Sequence, residues 1–188
     1  MFLRTGATIE LSKLGLAARK ATFLGNKASV VFAAHCRRHV AVLPLRRARG
    51  SWDLVLRAVH DAIACGRAVM VTCNTVAECA KRAAALRLVL PAQSVALCHS
   101  GGSSRRVTAA ERNEMAAALS AWSSGLPGCP VVLVGTSVVH RGIHNPKCGL
   151  AVMWDTPESC AAAGQIAGRI GRDLRPSVAL VFVCEDSM

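Results

Sequence analysis

An α/β fold, with helices flanking a largely parallel sheet, is what this sequence predicts, and three observations carry it. From Val40 onward, apolar runs of strand length alternate with helix-length segments, the rhythm of βαβ units. The runs are continuous, as in Ala68-Val-Met-Val-Thr-Cys73, and strands covered on both faces read that way. Ala, Val and Leu supply the core: 52% of residues are hydrophobic and only 4% aromatic, with no Tyr. One good core fits within 188 residues.

The elements follow in chain order. Residues 11–23 have apolar positions near helical spacing, Gly25-Asn26 breaks them, and Val30-Val31-Phe32 has strand character. A turn and a lone helix before any strand make residues 1–36 look like the tail of another unit, with the main domain spanning 37–188. Val40–Leu45 is a strand leading into a basic turn. Ser51 opens a helix through Trp52, Leu54, Val55, Val59 and Ile63, which ends near Gly66. Strand 68–73 follows, and Thr75-Val-Ala-Glu78 is a capping box for a helix to about Leu90, where Pro91 stops it. Ser94–Cys98 is a strand. Thr108-Ala-Ala-Glu111 is a second capping box, for a helix through Met115, Leu119 and Trp122. Pro130–Val134 and Leu150–Trp154 are strands, Thr156-Pro157 caps a final helix, and Val178–Val183 closes the sheet.

Net charge is +12, from 23 basic and 11 acidic residues, which favours a polyanionic partner, nucleic acid first. Arginines cluster at Arg37-Arg38, Arg46-Arg47-x-Arg49 and Arg105-Arg106; charge alone is equally compatible with a solvated basic face. No apolar run approaches the roughly 18–20 residues of a membrane span. Nine cysteines without a C-x-x-C pair predict buried free thiols in a reducing compartment, not a disulfide framework or zinc ribbon. His140 with His144, and Cys36 with His35 and His39, are weak metal sets, and no metal is expected.

The most informative stretch is Gln165-Ile-Ala-Gly168-Arg169-Ile-Gly171-Arg172-Asp173. If the helix continues through it, Arg169 and Arg172 share a face and can converge on one anion, with Gly168 and Gly171 keeping that face bare. The pattern Q-x-x-G-R-x-G-R-D resembles the sixth motif of superfamily-two helicases, and its aspartate resembles the RecQ-like branch. The preceding residues fall into that family's order. Gly66–Thr75 resembles the fourth motif. Cys98-His99-Ser100-Gly101, Glu111-Arg112 and Trp122-x-x-Gly125 resemble the "H-x-G … E-R … W-x-x-G" segment. Val131–Pro146, with Thr136-Ser137 and Arg141-Gly142-Ile143, resembles the fifth motif, and Trp154-Asp155-x-Pro157 the "D-x-P" that precedes the sixth. Gly6-Ala7-Thr8 resembles the third motif, and Arg37-Arg38-His39-Val40 the passage from the first RecA-like domain into the second.

The resemblance implies a RecA-like fold and the C-terminal motor domain of an ATP-dependent DNA helicase, moving 3′ to 5′ and working in the nucleus or nucleoid. It implies that Arg169 and Arg172 act as arginine fingers with Gln165 beside them, and that Gly142, His144 and Gly168 border the nucleotide. ATP with Mg²⁺ would be shared with a first RecA-like domain, since no G-x-x-x-x-G-K-[S/T] occurs here. Asn74, Thr75, Ser100, Gly101 and Thr136, near strand ends and helix starts, suit the phosphates of a DNA strand, RNA remaining open. His144 stands where the family carries an acid, His140 where it carries a small or apolar residue, and Gly6 departs from "T-A-T". A catalytically inactive nucleic-acid-binding module and an interaction fragment are the alternatives; the isolated chain is not expected to hydrolyse ATP.

Overall fold

The computed structural model describes residues 38–45, 50–99, 107–136, 139, 143–173 and 175–184. The readings at residues 1–36, the Arg46–Arg49 turn and Arg105-Arg106 lie outside them.

Six strands form one sheet: β1 (Arg38–Leu45), β2 (Ala68–Thr72), β3 (Val95–Cys98), β4 (Val132–Gly135), β5 (Cys148–Met153) and β6 (Ser177–Cys184). Their order is β1-β6-β5-β2-β4-β3, and every pairing is parallel. The strands that read as continuous apolar runs are the central ones: every residue of β2 and of β5 is buried. Successive side chains along β2 serve opposite cores, Val69 and Val71 on one face and Ala68 and Met70 on the other.

Helices α1 (Gly50–Ala64) and α2 (Val76–Arg87) cover the first face. Leu54, Val55 and Val59 from α1 pack there with Cys79, Ala83 and Leu86 from α2, at the three- and four-residue spacings of a single helical stripe. Helices α3 (Ala109–Ser124) and α4 (Cys160–Ala167) cover the second face through Trp122, Ala163 and Ile166. Among the described residues no helix is long and apolar enough to cross a membrane.

Three expectations change. The capping box at Thr108 forms in full, but at Thr75 only half of it does. The Thr75 hydroxyl accepts from the Glu78 amide at 3.1 Å, while the Glu78 carboxylate turns to Arg82 and to Trp154 Nε1 instead. A guanidinium and an indole N–H outcompete the amide because they lie within reach on the packed side of the helix. The final helix is capped by Ser159, not Thr156-Pro157, and it ends at Ala167, so Arg169 and Arg172 lie beyond it. Gly168 closes the helix and Gly171, with φ of 63°, is in the left-handed region, which a right-handed helix cannot pass through. Finally, the cysteines described by the structure from Cys65 to Cys160 are free but not uniformly buried: Cys73, Cys79, Cys98 and Cys148 are buried, whereas Cys65 and Cys160 are exposed at helix ends.

Candidate nucleotide and nucleic-acid surfaces

Two separate surfaces emerge, one at each end of α4. The first lies at the carboxyl ends of the central strands. Asn74, just past β2, donates its backbone N–H to Asp155 Oδ2 and its side-chain amide to the Thr156 carbonyl, both at 2.9 Å. Its amide is therefore committed to the loop after β5. Asn74 and Thr75 nevertheless remain exposed. The Thr75 hydroxyl caps α2, and Asn74 and Asp155 border a crevice with Pro157 and Glu158.

Thr136 follows β4 and is only 6% exposed. Its amide donates to the Cys98 carbonyl at 3.3 Å and its carbonyl accepts from Val139, while its hydroxyl has no partner among the described residues. The backbone is tight here, since a Cβ on Gly135 would fall 2.4 Å from Val139 and 2.5 Å from the Cys98 carbonyl. Ser100 and Gly101 lie outside the described residues.

A cluster that the sequence did not disclose braces this edge. The Arg82 guanidinium lies 4.5 Å from the Trp52 ring centre and 4.2 Å from that of Trp154, and Glu78 ties it to Trp154 Nε1. The two indoles meet edge to face at 4.9 Å. Only the Glu78–Arg82 pair, at i,i+4, had a sequence signal.

The second surface is the turn after α4, at the opposite end of the sheet. Eight helical residues span about 12 Å, and at the far end the Gly171 amide donates to the Cys148 carbonyl, where β5 begins. Arg169 is half-buried and donates to the Ile143 carbonyl at 3.4 Å, so the loop before β5 and the turn after α4 are brought together. Arg172 is exposed; its Nε donates to the Gly168 carbonyl at 3.2 Å. His144, next to Ile143, is exposed, and Gln165 is exposed on α4. Gly142 lies outside the described residues.

Sequence reasoning missed what holds this turn. Arg67, just before β2 and 8% exposed, forms a two-pronged ion pair with Asp173, including an Nη2–Oδ1 bond of 3.0 Å. A Cβ on Gly149 would fall 2.3 Å from Arg67 Nε, so the glycine makes room for the guanidinium. Partial burial pushes the Asp173 carboxyl up, but the Arg67 guanidinium and the Arg175 amide outweigh it and the net shift is downward. Asn145, 2% exposed, bonds the Trp122 carbonyl and the Lys147 amide, anchoring the loop before β5 to the end of α3.

The six-stranded parallel sheet with helices on both faces matches RecA-like helicase C-terminal domains. The Helicase conserved C-terminal domain family matches residues 53–173, and the chain belongs to it. Solved structures agree on the fold. The Mss116p DEAD-box helicase domain 2 bound to an RNA duplex matches with a TM-score of 0.60 at 16% identity, over 80% of this chain and 55% of that one. Dbp5 of S. cerevisiae, bound to RNA and ADP BeF3, matches with a TM-score of 0.60 at 19% identity, over 80% and 36%. The DUF1998 helicase MrfA bound to DNA matches with a TM-score of 0.55 at 16% identity, over 78% and 20%. This chain thus spans between about a fifth and about half of these relatives' lengths. A search of curated proteins gave no match.

Proposed function

We propose that the chain is the second RecA-like half of an ATP-dependent nucleic-acid motor. The observation that carries this reading is the arginine turn: Arg169 is anchored on the Ile143 carbonyl while Arg172 stands exposed beside it. An exposed guanidinium on a braced turn suits an anion presented by another domain. ATP with Mg²⁺ would be held chiefly by a first RecA-like domain, and when bound it supplies the γ-phosphoryl whose transfer to water drives the cycle. Arg172 would be the residue to meet the γ-phosphate, and Arg169 ties the turn to the loop that bears His144. Gly168 keeps the backbone beside them low.

At the other surface, Thr75 and the loop that Asn74 braces border a nucleic-acid strand along its phosphates, with Asn74 and Thr136 acting through the geometry of that edge. Contacts of that kind fix register without reading bases, so DNA and RNA both fit. The RecQ-like branch, with DNA and 3′-to-5′ movement, rests on the Arg172-Asp173 pair and the Arg37–Val40 passage. Asp173, however, has a local task in its ion pair with Arg67, which accounts for the aspartate without a branch. His144 in place of an acid favours a second reading, a nucleic-acid-binding module with no response to ATP.

The test joins this chain to a first RecA-like domain bearing a phosphate-binding loop. Arg172→Ala should lower kcat for ATP by about 10³ with little change in the oligonucleotide concentration giving half-maximal stimulation. An unchanged kcat removes the finger role. Turnover absent with wild-type Arg172, alongside intact oligonucleotide binding, selects the second reading.

A further inference from the structure

We infer that Arg67 and Asp173 are positioning residues for Arg172, setting the direction in which its guanidinium is presented; this rests on the proposed phosphate-facing role of the turn. Residues 168–173 are fastened at three points to three different parts of the chain. Arg169 is held by the Ile143 carbonyl, the Gly171 amide by the Cys148 carbonyl, and Asp173 by Arg67. Arg172 lies between the last two fastenings and is exposed. Its one bond among the described residues, from Nε to the Gly168 carbonyl, exists only if the turn keeps its shape.

The Arg67 end of the pair is built in and cannot drift. Its side chain is 9% exposed, lies where Gly149 lacks a Cβ, and is carried on the first residue before the central strand β2. Two parallel N–H···O contacts fix a carboxylate's orientation as well as its distance, which one contact to a lysine would not do. Asp173 also accepts from the Arg175 amide at 3.3 Å, so the pair controls the exit of the turn into β6. An ion pair serving stability alone would have no bearing on the neighbouring side chain, and that difference can be measured.

The experiment uses the intact chain and follows the Nε–Hε resonance of Arg172 by NMR, with and without inorganic triphosphate as the phosphate probe. Asp173→Asn is near-isosteric and keeps one acceptor for Arg67 and for the Arg175 amide, so the fold should persist; Arg67→Lys is the second variant, keeping the charge but not the fork. In both, the Arg172 resonance should collapse towards the shift of mobile arginines, and the Kd for triphosphate should rise about threefold to tenfold. The backbone amides of β2 and β5 should stay in place. A dispersed Arg172 resonance with unchanged affinity in a folded variant overturns the inference. If triphosphate leaves the wild-type resonance untouched, the phosphate role of Arg172 fails, and the resonance in the two variants still decides whether the pair positions it.

Discussion

Single residues at the arginine turn are set by steric demands that differ in kind. Gly171 has φ of 63° and would place a Cβ 2.3 Å from Ser177 Oγ, whereas Gly66, with φ of 68°, has nothing within 4 Å of that position. Gly66→Ala should therefore cost only the backbone strain of a left-handed residue, about 1 kcal/mol, and Gly171→Ala at least about 2 kcal/mol more, read from denaturant midpoints at constant slope. Asp173 makes a second prediction, in pH. Its folded pKa lies below its unfolded value, so the stabilisation is present above the ordinary aspartate range near 4 and is lost as pH falls through the lower folded value. Asp173→Ala, which leaves Arg67 buried without its partner, should lose roughly 3 kcal/mol at pH 7. The gap between variant and wild type should narrow below about pH 4; a gap that widened in acid would contradict the sign.

At the scale of elements, strands and helix starts are legible locally, whereas the half-formed capping box at Thr75 is decided by side chains distant in sequence. The central strands announce themselves by continuous apolar runs, and at Thr108 the capping box closes locally, its N–H and hydroxyl both donating to the Glu111 carboxylate. Thr75 carries the same residue pattern, yet Glu78 is drawn to Arg82 and to Trp154, 76 positions away. No local pattern contains that information. The helix expected through Arg172 ends at Ala167 for a different, local reason: Gly171 reads as a gap in a helix face until its φ is known. Glu78→Ala should thus act mainly as loss of a half-buried partner, leaving Arg82 without its carboxylate beside two indole rings, and cost about 1–3 kcal/mol. Thr75→Ala should cost about 1 kcal/mol as an ordinary N-cap loss. Equal losses from the two substitutions would argue that the Trp52–Arg82–Trp154 stack contributes nothing beyond the cap.

For the whole molecule, the family was legible because its motifs keep their order along the chain, while the division of the site into two surfaces was not. Sequence order places Thr136 and Arg169 in successive motifs; only the sheet shows that α4 carries the chain from the carboxyl ends of the strands to the start of β5, about 12 Å per eight residues. Nor could the sequence show that the amide of Asn74 is already committed to Asp155, since the two stand 81 positions apart. Separation has a consequence for binding. With a net charge of +12, single-stranded oligonucleotide should bind the isolated chain with an affinity that falls steeply with salt. Asn74 and Thr136 should affect that affinity through geometry: Asn74→Ala frees the 155–156 loop, and Thr136→Val removes a buried hydroxyl that has no partner among the described residues. Each should weaken binding about threefold to tenfold without changing the salt slope by more than a few tenths, because neither removes a cation. Arg172→Ala removes a cation, but at the far end of α4, and should alter both affinity and slope less than loss of one phosphate contact would, about 0.7 in log–log slope for a single strand. Fluorescence anisotropy across a salt series separates these cases: an Arg172→Ala slope lower by a full contact would place the nucleic acid on the arginine turn and merge the two surfaces into one.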